Sequence, residues 1–553
     1  MRAVRNQDMS QEPRYWWRRS ALAVAAFVWM FSAGFDVSLV AQAAVDDELD
    51  AAAKAFWAAV TDNERARAIE GILALRPDSD EVLTALRSGR AYTTDVPTGR
   101  HILSRQNRNG REHAYVLHVP DSYDPARRYS VRFYLHGGVM RAKQLDGNWW
   151  PNDVGMARDD SLVVFPASWE GSLWWQTSQI ENLSGLLNDL KRVYNIDENR
   201  VHLLGISDGA TGAYYHAFKA TTPWAGFLPF NGHPVVLGNS ASDVAGEMHV
   251  TNLRAKPFFV INGVLDRLYP AESVERYVRL FLSAGIYADF RPQVDAGHDM
   301  RWWSRETASI DSFVEGTPRR PLPNRLTWET ETTDMFNRAH WLRIDELGTV
   351  EGESSLEDFN ALTSRVQRTP LGINMLGELE SRPGLRIFDI GPSSIAELSG
   401  IELNDIILEI DGVPTSNVGS FRKAIIEFSP GDRMPVTIER EGKRLELSLD
   451  YPADPSEGAR PAFPHRLSSG RVDLERRDNT ITVSTEGVRA YTLFLSPDQF
   501  DFSHPITVVT NEVLSHKGFV RPDVATMLRW AAIDQDRTLL FAAELRIEVV
   551  PTP

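Results

Sequence analysis

Ser207 is the residue with the clearest potential for chemistry, because it stands between two glycines in the string Gly205-Ile206-Ser207-Asp208-Gly209. Strings of this G-x-S-x-G type also occur by chance, so the surrounding sequence has to decide. A strand-like run, "RVHLLGIS", precedes the serine, and a helix-like run, "GATGAYYHAF", follows it. A sharp strand-to-helix turn of this kind, a nucleophile elbow, exposes a serine hydroxyl, and its glycines avoid clashes with the adjoining strand and helix. Ser207 is therefore predicted to be a nucleophile.

A serine hydroxyl needs a base beside it, and the base needs an acid that orients it. Asp266 lies in "FFVINGVLDRLYP", just beyond one hydrophobic strand, and His298 lies in "VDAGHDM", just beyond the next. The order serine, acid, histidine is the one that accompanies a nucleophile elbow. Ligands of parallel sheets collect at the carboxyl ends of the strands, where both residues fall. We predict that Asp266 orients His298 and that His298 takes the proton of Ser207.

Other histidines and acids compete for these roles. His216 falls inside the helix after the nucleophile and is predicted to pack in the core. His233 follows a strand in "FNGHP" and is a candidate for the lining of the pocket. Asp295 and Asp299 flank the predicted base too closely in sequence to be the usual orienting acid.

The charge that develops on an attacked carbonyl oxygen needs two fixed N–H donors. The pair Gly137-Gly138 in "YLHGGVM" follows a predicted strand and lets the backbone approach a substrate closely. We predict an oxyanion hole with one donor from Gly137-Gly138, near Gly138, and the second from Asp208, the residue after the nucleophile. A plain glycine turn is the alternative interpretation of this string.

Tryptophans concentrate in the loops around these residues. Trp169 follows "VVFPAS", and Trp302 and Trp303 follow the predicted base. One hypothesis is an apolar, aromatic cleft for an aryl, sugar or polymer chain. The alternative for each tryptophan is ordinary core packing.

The elements that must position these residues alternate between strand and helix from about residue 95 to residue 315. Hydrophobic strand runs are separated by amphipathic runs such as "QIENLSGLLNDLKRVY". Such alternation predicts an α/β domain with a mostly parallel sheet. Before it, residues 44–94 have apolar residues three and four apart and are predicted to form short amphipathic helices.

The segments "YNIDENRVHLLGISDGATGAYYHAF" and "LHGG" resemble the α/β-hydrolase superfamily, in particular secreted carboxylesterases of the polyhydroxybutyrate depolymerase and feruloyl esterase type. In those families a Tyr-x-Ile-Asp-x-x-Arg-Val segment leads into the elbow, and here it begins at Tyr194. The resemblance implies an α/β-hydrolase sheet with helices on both faces and a serine esterase that forms an acyl-enzyme on a small-molecule or polymeric ester. The chain departs from the family pattern at Asp208, where small residues or Met are common.

A second block, residues 366–453, resembles the PDZ domains of bacterial periplasmic proteases. The resemblance rests on "GIELNDIILEIDG", in which Gly400, Asp405 and Asp411 match the family pattern, although Asn404 replaces a common glycine. It implies an α+β domain that captures a peptide C-terminus on backbone N–H groups. The carboxylate loop would then be Leu371, Gly372 and Ile373. A PDZ-shaped spacer without a ligand is the alternative.

Residues 326–365 and 465–553 flank this block and read as mostly β. Neither segment looks complete alone, so we predict one sandwich-like β domain that the PDZ-like block interrupts. Between the blocks, "GTPRRPLPNR" and "DPSEGARPAFP" are predicted to be linkers.

The N-terminus carries the pattern of an export signal. Arginines precede the apolar run "ALAVAAFVWMFSAG" at residues 21–34, and Ala41-Gln42-Ala43 follows as a small-residue cleavage site. This pattern predicts a signal peptide over residues 1–43. A membrane anchor is the alternative, but the run is shorter than the roughly 20 residues that a span requires. We expect an exported protein, periplasmic or extracellular, without a stable membrane span after cleavage.

The amino-acid composition excludes further classes of function and partner. The formal net charge is −16, which is unfavourable for a nucleic-acid partner because that affinity depends on Lys and Arg meeting phosphates. The chain has no cysteine, which excludes disulfides, a thiol nucleophile and Cys-ligated zinc. No HExxH, P-loop or GxGxxG string occurs, so neither a metal nor a cofactor is expected. An ester hydrolase leads these hypotheses, and a peptidase with PDZ-like substrate capture or a non-catalytic envelope binding protein are the alternatives.

Overall fold

The computed structural model describes residues 37–150, 153–239, 242–353, 355–362, 371–376, 384–391, 394–425, 428, 431–450 and 460–551. The first 36 residues, which hold the apolar run of the predicted signal peptide, lie outside the described residues. The described chain up to Ala91 and the segment Arg521–Ala543 form one compact unit, and Tyr92–Val520 with the residues from Glu544 onward form another. Within the described ranges, no helix combines the length and apolarity that a membrane crossing requires.

The first unit consists of helices. They are α1 (Val37–Ala58), α2 (Asp62–Ala74), α3 (Ser79–Ser88) and, from the end of the chain, α10 (Val524–Asp534). Capping boxes start α2 and α3. The side chains of Thr61 and Asp78 each accept the backbone N–H of the glutamate three residues later, and the side chain of that glutamate accepts the backbone N–H of the capping residue. Buried apolar side chains on α1, α3 and α10 fill the space between the helices. Helix α10 lies within residues 465–553, the segment that reads as mostly β in the sequence, and it clusters with the N-terminal helices.

An eight-stranded sheet organises the second unit, with strand order β1-β2-β4-β3-β5-β6-β7-β8. The strands are β1 (Gly99–Gln106), β2 (Glu112–Val119), β3 (Tyr129–Leu135), β4 (Ser161–Pro166), β5 (Ile196–Ile206), β6 (Gly226–Phe230), β7 (Phe258–Gly263) and β8 (Ala288–Gln293). The first two strands are antiparallel to their neighbours, and all pairs from β4 to β8 are parallel. Parallel order requires a crossover between strands, which places helices over the sheet.

Both faces of this sheet are covered. The helices are α4 (Thr177–Val193), α5 (Asp208–Lys219), α6 (Ala271–Ser283) and α7 (Trp303–Gly316). Successive residues of one strand point to opposite faces, so Leu203 packs in the cluster beneath α4, α5 and α6 and Leu204 packs in the cluster beneath α7. Strands β4, β6 and β7 are buried along their whole length, as expected for a sheet between two helical layers.

A β-rich region follows, built from both sides of the PDZ-like block. Its strands are β9 (Arg325–Thr330), β10 (Arg338–Ala339), β11 (Leu342–Leu347), β20 (Gly470–Arg477), β21 (Thr480–Glu486), β22 (Val488–Leu495), β23 (Ile506–Thr510), β24 (Val513–Gly518) and β25 (Ala543–Glu548). They form one sheet of order β24-β23-β21-β20-β9 and another of order β10-β11-β22-β25. Since β9 pairs with β20 and β11 pairs with β22, the two sequence segments complete each other.

The inserted block is a small sheet with two short helices. Its strands are β13 (Ile373–Leu376), β14 (Leu385–Ile390), β15 (Ile406–Ile410), β16 (Val413–Pro414), β17 (Arg433–Arg440) and β18 (Lys443–Asp450), and its helices are α8 (Ile395–Leu398) and α9 (Val418–Ile425). Apolar residues of the strands and of both helices form a separate core around Ile387, Phe421 and Ile438. The architecture predicted from the sequence is therefore confirmed: a mostly parallel α/β sheet with helices on both faces, an inserted α+β block and a C-terminal β-rich region.

A short paired stem carries the insertion. Strands β12 (Ala361–Leu362) and β19 (Arg460–Pro461) pair antiparallel where the chain leaves for the PDZ block and where it returns. The returning segment falls in the predicted linker "DPSEGARPAFP", but its described end is not a loose tether. Phe463 is 1% exposed and belongs to the core on one face of the eight-stranded sheet, where its ring contacts Phe218 and Tyr277. The side-chain amide of Asn360 donates to the carbonyl of Phe463 and accepts its backbone N–H, and these two hydrogen bonds fix the stem in place.

Candidate active site

Ser207 sits at the turn from β5 into α5 in a backbone conformation that side chains rarely adopt. Its φ is 56° and its ψ is −119°. Conformations of this type cost free energy and persist only where the surroundings enforce them. The Ser207 N–H donates to the carbonyl of Phe230 at 2.9 Å, which ties the turn to the end of β6. The constraint leaves the Ser207 hydroxyl beyond the carboxyl edge of the sheet.

The two glycines of the elbow are sterically required. A Cβ on Gly205 would lie 2.1 Å from the carbonyl oxygen of Gly209. A Cβ on Gly209 would lie 1.9 Å from the carbonyl oxygen of Leu135, at the end of β3. In both cases the obstructing atom belongs to the backbone and cannot rotate away. The elbow therefore packs helix against strand more closely than any side chain permits.

The structure brings Ser207, His298 and Asp266 within hydrogen-bonding distance. Nε2 of His298 lies 2.9 Å from Oγ of Ser207, and Nδ1 of His298 lies 2.8 Å from Oδ2 of Asp266. The histidine follows β8, the acid follows β7 and the serine follows β5, so three neighbouring strand ends supply the three groups. The Asp266 side chain is fully buried, whereas the His298 ring is 28% exposed. This arrangement can pass a proton between a hydroxyl and an imidazole that an acid holds in place.

Asp266 is fixed by its own loop. Its Oδ1 accepts the backbone N–H of Leu268 at 2.8 Å and that of Tyr269 at 3.0 Å. The side-chain amide of Asn262 donates to the carbonyls of Gly232 and Tyr269 and so joins this loop to the loop after β6. Because both carboxylate oxygens have partners, the acid has one orientation, with Oδ2 aimed at the imidazole.

The Gly137-Gly138 turn lies against the nucleophile. A Cβ on Gly137 would lie 2.8 Å from Cβ of Ser207, and Gly138 has a φ of 64°, in the left-handed region. His136 anchors the turn: its Nε2 accepts the Ser168 N–H at 3.0 Å, so its Nδ1 carries the proton and donates to the carbonyl of Gly137 at 2.9 Å. Burial is the main reason that the pKa of His136 falls to about 4, so the ring is neutral near pH 7. A neutral ring keeps this pattern of one acceptor and one donor.

Asp208 bridges the elbow and this turn. Its Oδ2 accepts the backbone N–H of Val139 at 2.9 Å. Within the described residues, the backbone N–H groups of Gly138 and Asp208 have no protein acceptor. Asp208 is also the first residue of α5, where the exposed N–H groups and the helix dipole favour negative charge. Asp208 directly follows Ser207 in the chain and the Gly137-Gly138 turn lies against it, so the two N–H groups remain the candidates for holding a developing oxyanion.

The competing residues have other partners. Asp295 pairs with Arg305, and Asp299 pairs with Arg301, so both acids are held away from the imidazole. His216 is fully buried, and burial lowers its pKa to about 3, which fits the packing role expected for it. Nδ1 of His233 accepts the Val235 N–H, and its ring lies 6.0 Å from that of Tyr269.

The predicted aromatic cleft needs a correction. Trp302 is 0% exposed and packs on Phe230 beneath α7, so it belongs to the core and cannot line an open cleft. Trp303 is half-buried against the same cluster. Trp169 is half-buried beside His113, and Nζ of Lys143 lies 5.0 Å from its ring centroid. Sequence position after a strand end did not distinguish these cases, because burial depends on the layer that covers each loop.

Sequence reasoning missed Tyr269. Its ring lies 5.8 Å from that of His298, edge to face, and its N–H holds Asp266. Burial, and then the charges of Asp208 and Asp266, raise the pKa of Tyr269 to about 12. The hydroxyl thus stays protonated near neutral pH and can donate a hydrogen bond. Its position three residues after the predicted acid, in "LDRLYP", was the available signal.

The proposed carboxylate loop of the PDZ block lies directly before and at the start of β13. Leu371 is buried in the core of the block, Gly372 has a φ of 73°, and Ile373 begins the strand. A Cβ on Gly372 would lie 2.2 Å from Cβ of Ser394, so this position requires glycine. The carbonyl of Gly372 accepts the N–H of Gly391, which fixes the loop to the end of β14.

Comparison with known proteins identifies the inserted block. Residues 369–450 match the family model described as "PDZ domain". The chain is 29% identical over 80 residues to the "Serine endoprotease DegS" of Escherichia coli (strain K12), a match that covers 14% of this chain and 22% of that protein. The block is a PDZ domain, as the sequence resemblance indicated.

Other similarities concern hydrolases. The chain is 28% identical over 121 residues to the "Bifunctional acetylxylan esterase/xylanase XynS20E" of Neocallimastix patriciarum, covering 21% of this chain and 16% of that protein. Among solved structures, "Crystal Structure of a Thermostable Esterase" aligns with a TM-score of 0.33 and 19% identity, covering 40% of this chain and 63% of that one. An acylaminoacyl peptidase of Pyrococcus horikoshii aligns with a TM-score of 0.34 and 13% identity, covering 41% and 43%. The chain thus spans about a fifth of the length of the curated relatives it matches.

Proposed function

We propose that this protein is a serine hydrolase that cleaves carboxylic esters through an acyl-enzyme on Ser207. One observation carries the proposal: Ser207 Oγ, the imidazole of His298 and the carboxylate of Asp266 are joined by contacts of 2.9 and 2.8 Å. The strained backbone of the serine supports it as well, because such strain persists where function requires it.

In the first step Nε2 of His298 takes the hydroxyl proton of Ser207 while Oγ attacks the carbonyl carbon. Nδ1 keeps its proton and donates a hydrogen bond to Oδ2 of Asp266, whose charge stabilises the imidazolium. The carbonyl electrons move to oxygen, and the N–H groups of Gly138 and Asp208 bind the resulting oxyanion. The positive end of α5 adds to this stabilisation.

The tetrahedral intermediate then collapses. The carbon–oxygen bond to the leaving group breaks, and the imidazolium of His298 protonates the departing alcohol. Water enters, loses a proton to the same imidazole and attacks the acyl-enzyme, and a second collapse releases the acid and restores Ser207. Each proton moves between Ser207, His298, substrate and water, so these steps balance without a further group.

The ester preference has its own support. The elbow segment resembles that of secreted carboxylesterases, and one curated relative carries acetylxylan esterase in its name. A peptidase is the second candidate, favoured by the PDZ domain at 369–450, which presents a site of the kind that binds peptide C-termini. A non-catalytic binding protein is the third, and the aligned Ser207, His298 and Asp266 argue against it.

Export to the periplasm or the extracellular space belongs to the same proposal. It rests on the signal-like pattern of residues 1–43. Expression of the full chain, followed by N-terminal sequencing of the fractionated product, tests it. A mature protein that begins near residue 44 outside the cytoplasm is expected, whereas an uncleaved chain in the cytoplasm contradicts it.

A fluorophosphonate probe tests the reaction class. Labelling of the wild type that disappears in Ser207→Ala and persists in Ser242→Ala, a serine whose backbone carbonyl bonds Trp175, supports the enzyme. Absence of labelling in the wild type contradicts it. Hydrolysis of p-nitrophenyl acyl esters, compared with cleavage of a peptide library, separates the esterase from the peptidase.

A further inference from the structure

The loop that supplies one oxyanion donor is held from both ends. His136 holds the first end by donating to the carbonyl of Gly137. Asp208 holds the second end by accepting the N–H of Val139 at 2.9 Å. Gly138, whose N–H is the proposed donor, lies between these two anchors. A shift of the second anchor would therefore change the direction of the Gly138 N–H relative to the Ser207 hydroxyl.

The glycines make this second anchor important. Gly138 is exposed and has a φ of 64°, and a Cβ there would meet nothing within 4 Å, so open space lies on that side of its backbone. Glycine has more conformational freedom than other residues, and a loop that contains it keeps one geometry only when hydrogen bonds restrain it. The Asp208 carboxylate provides such a restraint across 69 residues of sequence.

The charge of Asp208 has no partner among the described residues. No lysine, arginine or histidine there forms an ion pair with it, in contrast to the neighbouring acids Asp295 and Asp299. The residue is only partly buried. Its charge also acts on the hydroxyl of Tyr269, since it contributes to the raised pKa of that group. Next to the nucleophile, the Asp208 carboxylate thus carries a negative charge that no Lys, Arg or His of the described residues neutralises, although the Val139 N–H and the N-terminus of α5 stabilise it.

We propose that Asp208 is a positioning and specificity-determining residue: its carboxylate fixes the oxyanion loop through Val139, and its charge disfavours acyl groups that carry an acid. This inference rests on the proposed function. Like charges at short range repel most strongly where the surroundings are poorly solvated, and specificity is often set by such repulsion. The favoured substrates are esters whose acyl group is neutral or cationic.

The first test uses Asp208→Ala and Asp208→Asn, because the amide oxygen of Asn can still accept the Val139 N–H. With p-nitrophenyl butyrate, kcat of the Ala variant is expected to fall by about 10- to 100-fold with KM nearly unchanged, since a displaced oxyanion donor weakens only the transition state. The Asn variant is expected to keep kcat within about fivefold of the wild type, because it retains the bond. An unchanged kcat in the Ala variant, or equal losses in both variants, overturns the positioning role.

The second test compares p-nitrophenyl butyrate with the mono-p-nitrophenyl ester of succinic acid, which adds a carboxylate to an acyl chain of similar length. The ratio of kcat/KM for the acidic ester to that for the neutral one is expected to rise about tenfold in Asp208→Asn. Asp295→Asn, which removes an exposed acid paired with Arg305, is the control and is expected to leave the ratio unchanged. A ratio that stays constant in Asp208→Asn, or rises equally in the control, overturns the selection.

Amide hydrogen exchange keeps the two proposals distinguishable. Peptides that contain Val139 are expected to exchange about tenfold faster in Asp208→Ala than in the wild type or Asp208→Asn, because the N–H loses its acceptor. If the wild type is neither labelled by a fluorophosphonate nor active on esters, the proposed function is wrong. Unchanged hydrogen exchange at Val139 in the Ala variant would separately overturn the role of Asp208 in fixing the loop.

Discussion

Oδ2 of Asp266 accepts a hydrogen bond from Nδ1 of His298 at 2.8 Å, while Oδ1 of the same carboxylate is occupied by two backbone N–H groups. The acid is fully buried and therefore has a single hydrogen-bonding role for each oxygen. This relationship sets the proton on Nδ1 and leaves Nε2 free to accept from Ser207.

Replacing Asp266 with Asn is expected to lower kcat by about 10³- to 10⁴-fold, because an amide NH₂ in place of Oδ2 would favour the wrong tautomer of His298. KM should change little, since the residue does not contact the substrate. Steady-state hydrolysis of a p-nitrophenyl ester measures the effect. Circular dichroism should match the wild type, and an Asn variant with near-normal kcat would contradict the assigned role.

The strain at Ser207 predicts a difference between two inactive variants. Ser207→Gly and Ser207→Ala both lose the hydroxyl, but only the Ala variant keeps a Cβ at a φ of 56°. We expect the Gly variant to be the more stable of the two by about 1 kcal/mol, because Gly adopts this conformation without a steric penalty. Urea denaturation provides the comparison. Equal stabilities would show that the backbone there is not strained.

Elbow packing predicts that Gly209→Ala destabilises the fold by about 3 kcal/mol or prevents folding, since the new Cβ would overlap a backbone carbonyl. Gly71→Ala is the matched control. Gly71 is exposed in α2, a Cβ there would have no neighbour within 4 Å, and the change is expected to stabilise by about 0.5–1 kcal/mol. Thermal unfolding of both variants decides whether the elbow tolerates a side chain.

A buried cluster of charges predicts how stability depends on pH. The imidazole of His249 lies between Glu329 and Glu331, at 3.2 and 3.0 Å, and Glu331 also pairs with Lys219 on α5. Burial alone would raise the pKa of Glu329, but the hydrogen bond and charge of His249 outweigh it and lower that pKa to about 2. The pKa of Glu331 is likewise lowered, by His249 and Lys219 against the effect of burial. Burial opposes the charged form of His249, yet the two glutamates raise its pKa.

The directions of these pKa shifts define the pH range in which the cluster stabilises the fold. The glutamate contribution is present above the ordinary value of 4.5 and is lost as the pH falls through that value toward 2. The histidine contribution is present below the ordinary value of 6.5 and is lost as the pH rises above it, through the raised pKa. The cluster should therefore stabilise most between about pH 4.5 and 6.5. Urea denaturation across pH 3–9 should give a flatter profile for Glu331→Gln than for the wild type, and superimposable profiles would contradict the coupling.

The stem of the PDZ domain gives a further prediction. Phe463→Ala is expected to cost about 3–5 kcal/mol of stability, because this ring fills the core between α5 and α6. Phe519→Ala is the control, since that ring is 69% exposed and its loss should cost less than about 0.5 kcal/mol. Thermal unfolding followed by tryptophan fluorescence reports on the core. Equal effects of the two changes would mean that the stem does not contribute to the stability of the domain built on the eight-stranded sheet.

Much of the fold could be predicted from the sequence because the patterns that indicate its strands and helices are local. Alternation of apolar strands and amphipathic helices depends on neighbours a few residues apart, and the PDZ block carries a dense motif. The packing partners of α10 could not be predicted in this way, because the helix groups with helices more than 400 residues earlier and no nearby residue encodes that choice.

The sequence by itself determined which groups could react. The Gly205-x-Ser207-x-Gly209 turn, with an acid and a histidine each placed after a later strand, follows from chain order, because parallel strands deliver their carboxyl ends to one edge of a sheet. Only the tertiary structure decided how these groups are restrained. It placed the carboxylate of Asp208 on Val139, buried Trp302 in the core and set Tyr269 beside His298. Contacts of this kind depend on how separate loops approach one another at the sheet edge, and that geometry arises only when the whole domain packs.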